Sequence, residues 1–169
     1  MGLLAALTAA LNFAEGLIPA LPMLPPGIKL GLANIVVAYA LFYLDFGSAF
    51  TLALLKSGFV LLTRGISAGW MSLAGGFLSL GVMALAHRCF SRKERQYYLV
   101  SIPGAVSHNL GQLCAAAVIL KSGAVFYSLP FLILSGILMG YVTAALLRVV
   151  LPALKRAAPA GKANDDNHS

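Results

Sequence analysis

Apolar runs of close to twenty residues, each broken by only one or a few polar side chains, repeat along nearly the whole chain. A helix needs about 20 mostly apolar residues to cross a hydrocarbon core about 30 Å thick. The pattern predicts six such spans, over about residues 2–21, 28–44, 48–63, 66–87, 99–120 and 125–151. The second and third are short, and "DFG" between them leaves room only for a tight turn. The stretch "PALPMLPPGIKLG" between the first and second carries four prolines in 13 residues. Proline fixes its own backbone and lacks an N–H, so this is a stiff, non-helical connection, read either as a plain connector or as a cap on an outward-facing cavity. From Lys155 the sequence "KRAAPAGKANDDNHS" turns polar and small, which predicts disorder. The expected organisation is therefore a six-helix domain over residues 1–154 and a tail over 155–169.

Composition narrows the class further. The chain has 169 residues, 60% hydrophobic and 10% charged, with mean hydropathy +0.88. A soluble domain carries roughly a quarter charged residues. An all-α integral membrane protein is the class that remains. Asn12 and Glu15 interrupt the first apolar run and no basic segment precedes it, so it reads as a retained span rather than a cleavable signal.

Charge placement tests the span count. Arg88, Arg92, Lys93 and Arg95 follow the fourth run, and Arg148, Lys155, Arg156 and Lys162 lie at the end of the last. With six spans these eight of the twelve Lys and Arg residues share one side, against Lys29, Arg64 and Lys121 on the other. The positive-inside rule then places both termini in the cytoplasm of a bacterial cell membrane. The net charge of +7 is accounted for by this orientation signal next to anionic lipid, with no nucleic acid required.

Ionisable groups at membrane depth are costly and point to function by default. Glu15 lies in the first span, Lys56 in the middle of the third and Arg64 at its end. "SHNLGQ" places His108, Asn109 and Gln112 near the middle of the fifth. His108 and Gln112 are four apart and Asn109 and Gln112 three apart, so they offer donors and acceptors over about two turns of one helix stripe. Asn34 in the second span and Asn12 in the first add amides. These groups read either as a ligand site or as interhelical glue, which contributes about 0.6 kcal/mol per hydrogen bond. Lys56 is open between snorkelling, neutralising Glu15 or Asp45, and contacting a partner; Arg64 reads as a snorkelling interfacial anchor, with reach to an anionic ligand at the outer mouth as the alternative.

Small residues four apart let helices approach closely: Ala5 and Ala9, Ala6 and Ala10, Gly65 and Gly69, Gly136 and Gly140. Cys89 and Cys114 lack metal or redox spacing and read as packing residues. Neither a metal site nor a cofactor is expected. There is no Walker A string for ATP hydrolysis. Prenyl chain elongation needs aspartate-rich motifs to hold magnesium. The three aspartates here are Asp45 in a turn and Asp165 and Asp166 in the tail. The chain is expected not to be an enzyme.

"PPGIKLGLANIVVAYAL", "SLAGGFLSLGVMAL" and "SIPGAVSHNLGQL" resemble the membrane family described as Gx transporter and as heptaprenyl diphosphate synthase component I, over about residues 12–147. That family resembles in turn the S components of energy-coupling factor transporters, six-helix proteins that capture vitamins and related small molecules. The resemblance implies a transmembrane coupling subunit with cytoplasmic ATPases as partners, docking on Ala5, Ala6, Ala9 and Ala10. It also implies a cavity closed by outer loops, including residues 19–31. The expected function is a substrate-binding component for a vitamin-, flavin- or isoprenoid-related small molecule, contacted by Glu15, Asn34, His108, Asn109 and Gln112. The alternative is a non-catalytic membrane subunit of a soluble prenyl synthase or of quinone-linked machinery, docking through the basic loop 88–98 with Tyr97 and Tyr98. A third possibility is an ion-coupled carrier using Glu15 and His108, against which one chain is too short for paired internal repeats, although a dimer could supply them.

Overall fold

Each apolar run closes its own backbone hydrogen bonds as a helix, as a hydrocarbon surrounding demands. The computed structural model describes residues 2–17, 33–90 and 96–157, which form six α-helices and no strand. These are α1 (Gly2–Leu17), α2 (Asn34–Tyr43), α3 (Phe46–Arg64), α4 (Ile66–Phe90), α5 (Gln96–Leu120) and α6 (Leu129–Ala157), with a 3₁₀ helix (Gly123–Ser128) leading into α6. The proline-rich connection, Lys29, the basic residues Arg92, Lys93 and Arg95, and residues 158–169 lie outside the described residues. α6 continues through Lys155 and Arg156 to Ala157, past the boundary at 154 expected from the sequence.

Three stretches are long and apolar enough to cross a membrane: Phe46–Arg64, Ile66–Phe90 and Gly123–Arg148. The chain is thus a multi-pass membrane protein. α2, with ten residues, rises only about 15 Å, half a hydrocarbon core. α5 has the length, but Ser107, His108, Asn109 and Gln112 dilute its apolarity.

The turns follow local chemistry. Asp45 caps α3 by accepting a hydrogen bond from the Ser48 amide at 3.1 Å, which makes the predicted tight turn. The Ser48 hydroxyl and amide hold the Asp45 carboxyl below its ordinary range. Gly65 ends α3 at φ 88, a left-handed conformation that favours glycine, and α4 starts at the next residue. "GISAG" is therefore a helix-to-helix corner, not a stripe along one helix, although Gly69 does pack on Leu61 of α3. Lys121 ends α5 at φ 48, while Ser122 N–H reaches back to the Ala117 carbonyl at 3.3 Å.

α5 lies between α4 and α6, α3 packs on α4, and α1 leans on α3. Glycines set these approaches. A Cβ on Gly111 would stand 2.9 Å from the Ala74 carbonyl oxygen and from Gly75 Cα, so the α4 and α5 backbones touch there. Gly136 and Gly140 seat α6 against Val106 and Ile102 of α5, as the sequence spacing predicts. Pro103 cannot donate to the Leu99 carbonyl, and next to it the Gly104 carbonyl accepts from Ser79 of α4 at 2.7 Å and from Ser107 at 3.0 Å. The outer face carries leucines, isoleucines and aromatics, while the buried positions hold mostly small, polar and medium-sized side chains. Cys89 and Cys114 are exposed and free, so they do not fill the core as the sequence alone suggested.

Candidate functional site

The antiparallel order of the helices decides which polar groups meet. The C-terminal halves of α1, α3 and α5 lie beside the N-terminal halves of α2, α4 and α6, at the end where residues 18–32 connect α1 to α2. In that half Asn12, Glu15, Asn34, Lys56, Ser57, Ser72, His108, Asn109 and Gln112 are all buried.

Lys56 is the centre of the group. Its side chain is only 4% exposed, and its Nζ donates to Asn34 Oδ1 at 2.6 Å. On the other side Nζ lies 3.4 Å from His108 Nε2. An ammonium can donate there only if Nε2 is the bare ring nitrogen, which puts the ring proton on Nδ1. Asn34, Lys56 and His108 thus form a polar chain drawn from α2, α3 and α5. Glu15 and Arg64 both lie close enough to act on Lys56 electrostatically. Arg64 is half-buried and donates from Nη2 to the Asn12 carbonyl at 2.9 Å, tying the end of α3 to α1 beside Gly16.

Several buried atoms around this chain make no hydrogen bond among the described residues. They are Asn12 Nδ2, Gln112 Oε1 and, by strict geometry, His108 Nδ1, which faces the Gly75 backbone; toward the other end of the bundle His87 Nδ1, Gln96 Oε1 and Ser101 Oγ are likewise without one. A buried polar group without a partner costs about 1–3 kcal/mol, and a ligand that paired with Asn12 Nδ2 and Gln112 Oε1 would recover that cost. The positions of His108 and Gln112 are fixed by the α4–α5 crossing. A Cβ on Gly75 would stand 2.7 Å from the His108 carbonyl oxygen and 2.8 Å from Gln112 Cγ.

The five candidate ligand residues therefore divide. Glu15, Asn34 and His108 converge around Lys56, and Gln112 lies one turn from His108 with its carbonyl oxygen buried and unpartnered. Asn109 points the other way: its Nδ2 donates to the Leu132 carbonyl at 2.9 Å and to Ser135 Oγ at 3.2 Å, fastening α5 to α6. Lys56, which the sequence left open, is the hub, and its signal was a lysine in the middle of an apolar run. Asp45 caps the opposite end of α3, about 16 Å along the axis, and does not neutralise it. On α1, Ala6 and Ala10 are exposed while Ala5 and Ala9 are half-buried, with Ala5 packed on the core.

An apolar cleft of about 360 Å³ opens between α1, α2 and α6, lined among others by Leu7, Leu11, Ile35, Tyr39 and Leu146. At the end away from residues 18–32, Tyr97 packs edge-on against Phe42 and hydrogen-bonds through its hydroxyl to Tyr43, and the Tyr98 ring lies tilted against Tyr141 with centroids 5.2 Å apart.

Comparison with curated proteins gives no match, and comparison with solved structures gives none. A family model described as heptaprenyl diphosphate synthase component I matches residues 4–150, which is all but the first residues and the tail. On that match the chain belongs to the heptaprenyl diphosphate synthase component I family.

Proposed function

We propose that this chain is the substrate-binding membrane component of an uptake transporter of the energy-coupling-factor kind. It holds a small molecule among α1, α2, α3 and α5 and presents it to partner subunits. The observation that carries the reading is the buried Asn34–Lys56–His108 chain, with Asn12, Glu15 and Gln112 around it. Glue alone would satisfy its own donors and acceptors, as Asn109 does between α5 and α6. The chain holds no ATP-binding string, so the energy for release comes from a coupling subunit and cytoplasmic ATPases. Both termini face the cytoplasm of a bacterial cell membrane, and the exposed Ala6 and Ala10 offer the docking face on α1.

The test is mass spectrometry of small molecules retained by purified protein, wild type beside His108→Ala/Gln112→Leu. A defined compound present on the wild type and missing from the double variant is the expected result. A wild type that carries none, or a variant that keeps the same compound, refutes the assignment of this cluster. Ala6→Trp should then stop uptake while leaving the retained compound in place.

The family description favours one second reading, a non-catalytic membrane partner of a separate prenyl synthase. Its docking surface would be the basic stretch that begins in the last turn of α4, where Arg88 is exposed. Tyr97 and Tyr98 are engaged within the bundle, which leaves the charges to do the recognition. In that case neutralising Arg88, Arg92, Lys93 and Arg95 removes function and Gln112→Leu does not.

A further inference from the structure

The hold of α1 on the bundle changes along its length. Thr8, Asn12 and Glu15 are spaced four and three residues apart, so they share one face, and all three are buried. Leu3, Leu7 and Phe13 are exposed, so α1 turns polar groups inward and apolar ones outward. Leu4, Ala5 and Leu11 pack on the apolar core. Beyond Leu11, Phe13 and Ala14 face outward. The buried polar face adds little fastening of its own. The Thr8 hydroxyl turns back to the Leu4 carbonyl of its own helix at 2.8 Å, and Asn12 Nδ2 has no partner among the described residues.

Arg64 supplies the fastening. It donates from Nη2 to the Asn12 carbonyl, and its guanidinium lies across Gly16, where a Cβ would stand 3.2 Å from Nη2. Arg64 is in turn the last residue of α3, set in place by the corner at Gly65. Glu15 and Lys56 add an attraction of opposite charges across the same seam. On its other flank α1 borders the apolar cleft of about 360 Å³, with Leu146 and Leu147 of α6 on the far wall. Protein interiors are close-packed, so a helix end bordered by an open cleft and tied by a few polar contacts belongs to the least stable part of a fold. The other walls differ: α4 and α5 touch through their backbones at Gly75 and Gly111, and α6 is seated on α5 at Gly136 and Gly140.

We propose that α1 is the movable wall of the polar cluster, and that Arg64, seated across Gly16, is the latch that holds it shut. Opening tilts the Asn12–Glu15 end away from Lys56 while Leu4 and Ala5 stay on the core. It gives access to the cluster from the end where α1 leads into residues 18–32. This goes beyond the transport reading and holds for any compound the cluster takes.

The experiment uses the full chain in phosphatidylcholine nanodiscs, with Asn12→Cys as reporter in a Cys89→Ser/Cys114→Ser background. Asn12→Cys keeps the backbone carbonyl that Arg64 needs. The rate of labelling by N-ethylmaleimide is followed by mass spectrometry. The parent should label slowly, and Arg64→Gln should speed labelling about tenfold, as expected for the loss of one hydrogen bond from a charged group. Removing a nearby cation leaves a thiol less ionised and by itself slows labelling, so a faster rate reports exposure. Gly16→Leu, at an exposed position, fills the seat of the guanidinium with both cations kept, and should speed labelling likewise. Asn109→Leu, which unfastens α5 from α6, should leave the rate unchanged. A rate indifferent to Arg64→Gln overturns the proposal, and Gly16→Leu decides the matter if that variant does not fold. An equal rise in Asn109→Leu means a general loosening of the bundle and overturns it as well. The labelling needs no bound compound, so a protein that retains none would sink the transport reading and leave the latch standing. Unchanged labelling in a protein that does retain one would do the reverse.

Discussion

The contact of α4 with α5 at Gly75 and Gly111 predicts a large difference between two chemically identical substitutions. Gly111→Ala places a methyl 2.9 Å from the Ala74 carbonyl oxygen and from Gly75 Cα, both backbone atoms that cannot rotate away. Gly58→Ala, on an exposed position of α3, meets nothing within 4 Å. Both changes gain the same helix preference of alanine over glycine, about 1 kcal/mol, and that gain cancels when the two variants are compared. What remains is the overpacking of the crossing, about 1–3 kcal/mol. The assay is equilibrium unfolding by sodium dodecyl sulfate in mixed micelles, with helix content as the signal. Gly58→Ala should match or exceed the wild type, and Gly111→Ala should fall below Gly58→Ala by that amount. A difference under about 0.5 kcal/mol, the range of a surface substitution, would mean the helices do not touch there. Because Gly75 also lies against His108 and Gln112, Gly75→Ala should loosen ligand retention along with the fold.

Two further outcomes test separate parts of the structure. Asn109→Leu should cost about 0.6–1.7 kcal/mol of stability, as measured for interhelical hydrogen bonds, and leave any retained compound in place; loss of the compound would put Asn109 back in the site. Asp45 has a carboxyl pKa lowered by Ser48, so its cap on α3 is fully present above the ordinary value of 3.8 and is lost as pH falls through the lower folded value. Hydrogen exchange in the first turn of α3 should therefore rise on acidification below about pH 4 in the wild type and not in Asp45→Ala, and equal acid response in both would remove the cap from the account.

Much of this protein is legible in its sequence because the bilayer is a simple solvent. It requires length and apolarity of each helix, and these are one-dimensional properties; hence α3 and α4 fall within three residues of their predicted bounds. Local chemistry adds the turns, since a cap such as Asp45 acts over three residues. The Gly136 and Gly140 stripe was also readable, because four-residue spacing fixes a common face. What the sequence left open is which polar groups meet. Lys56, Asn34 and His108 are 22 and 52 residues apart, and only the packing of α2, α3 and α5 brings their polar atoms within 3.4 Å. "GISAG" has the spacing of a packing stripe and is a corner, because a left-handed backbone at Gly65 breaks the helix between its two glycines. Asn109 and His108 are neighbours in sequence and serve opposite faces of α5, since one residue is a turn of about 100° around a helix with 3.6 residues per turn. The sequence determines what each helix can bury; the crossing at Gly75 and Gly111 decides which of those buried groups face one another.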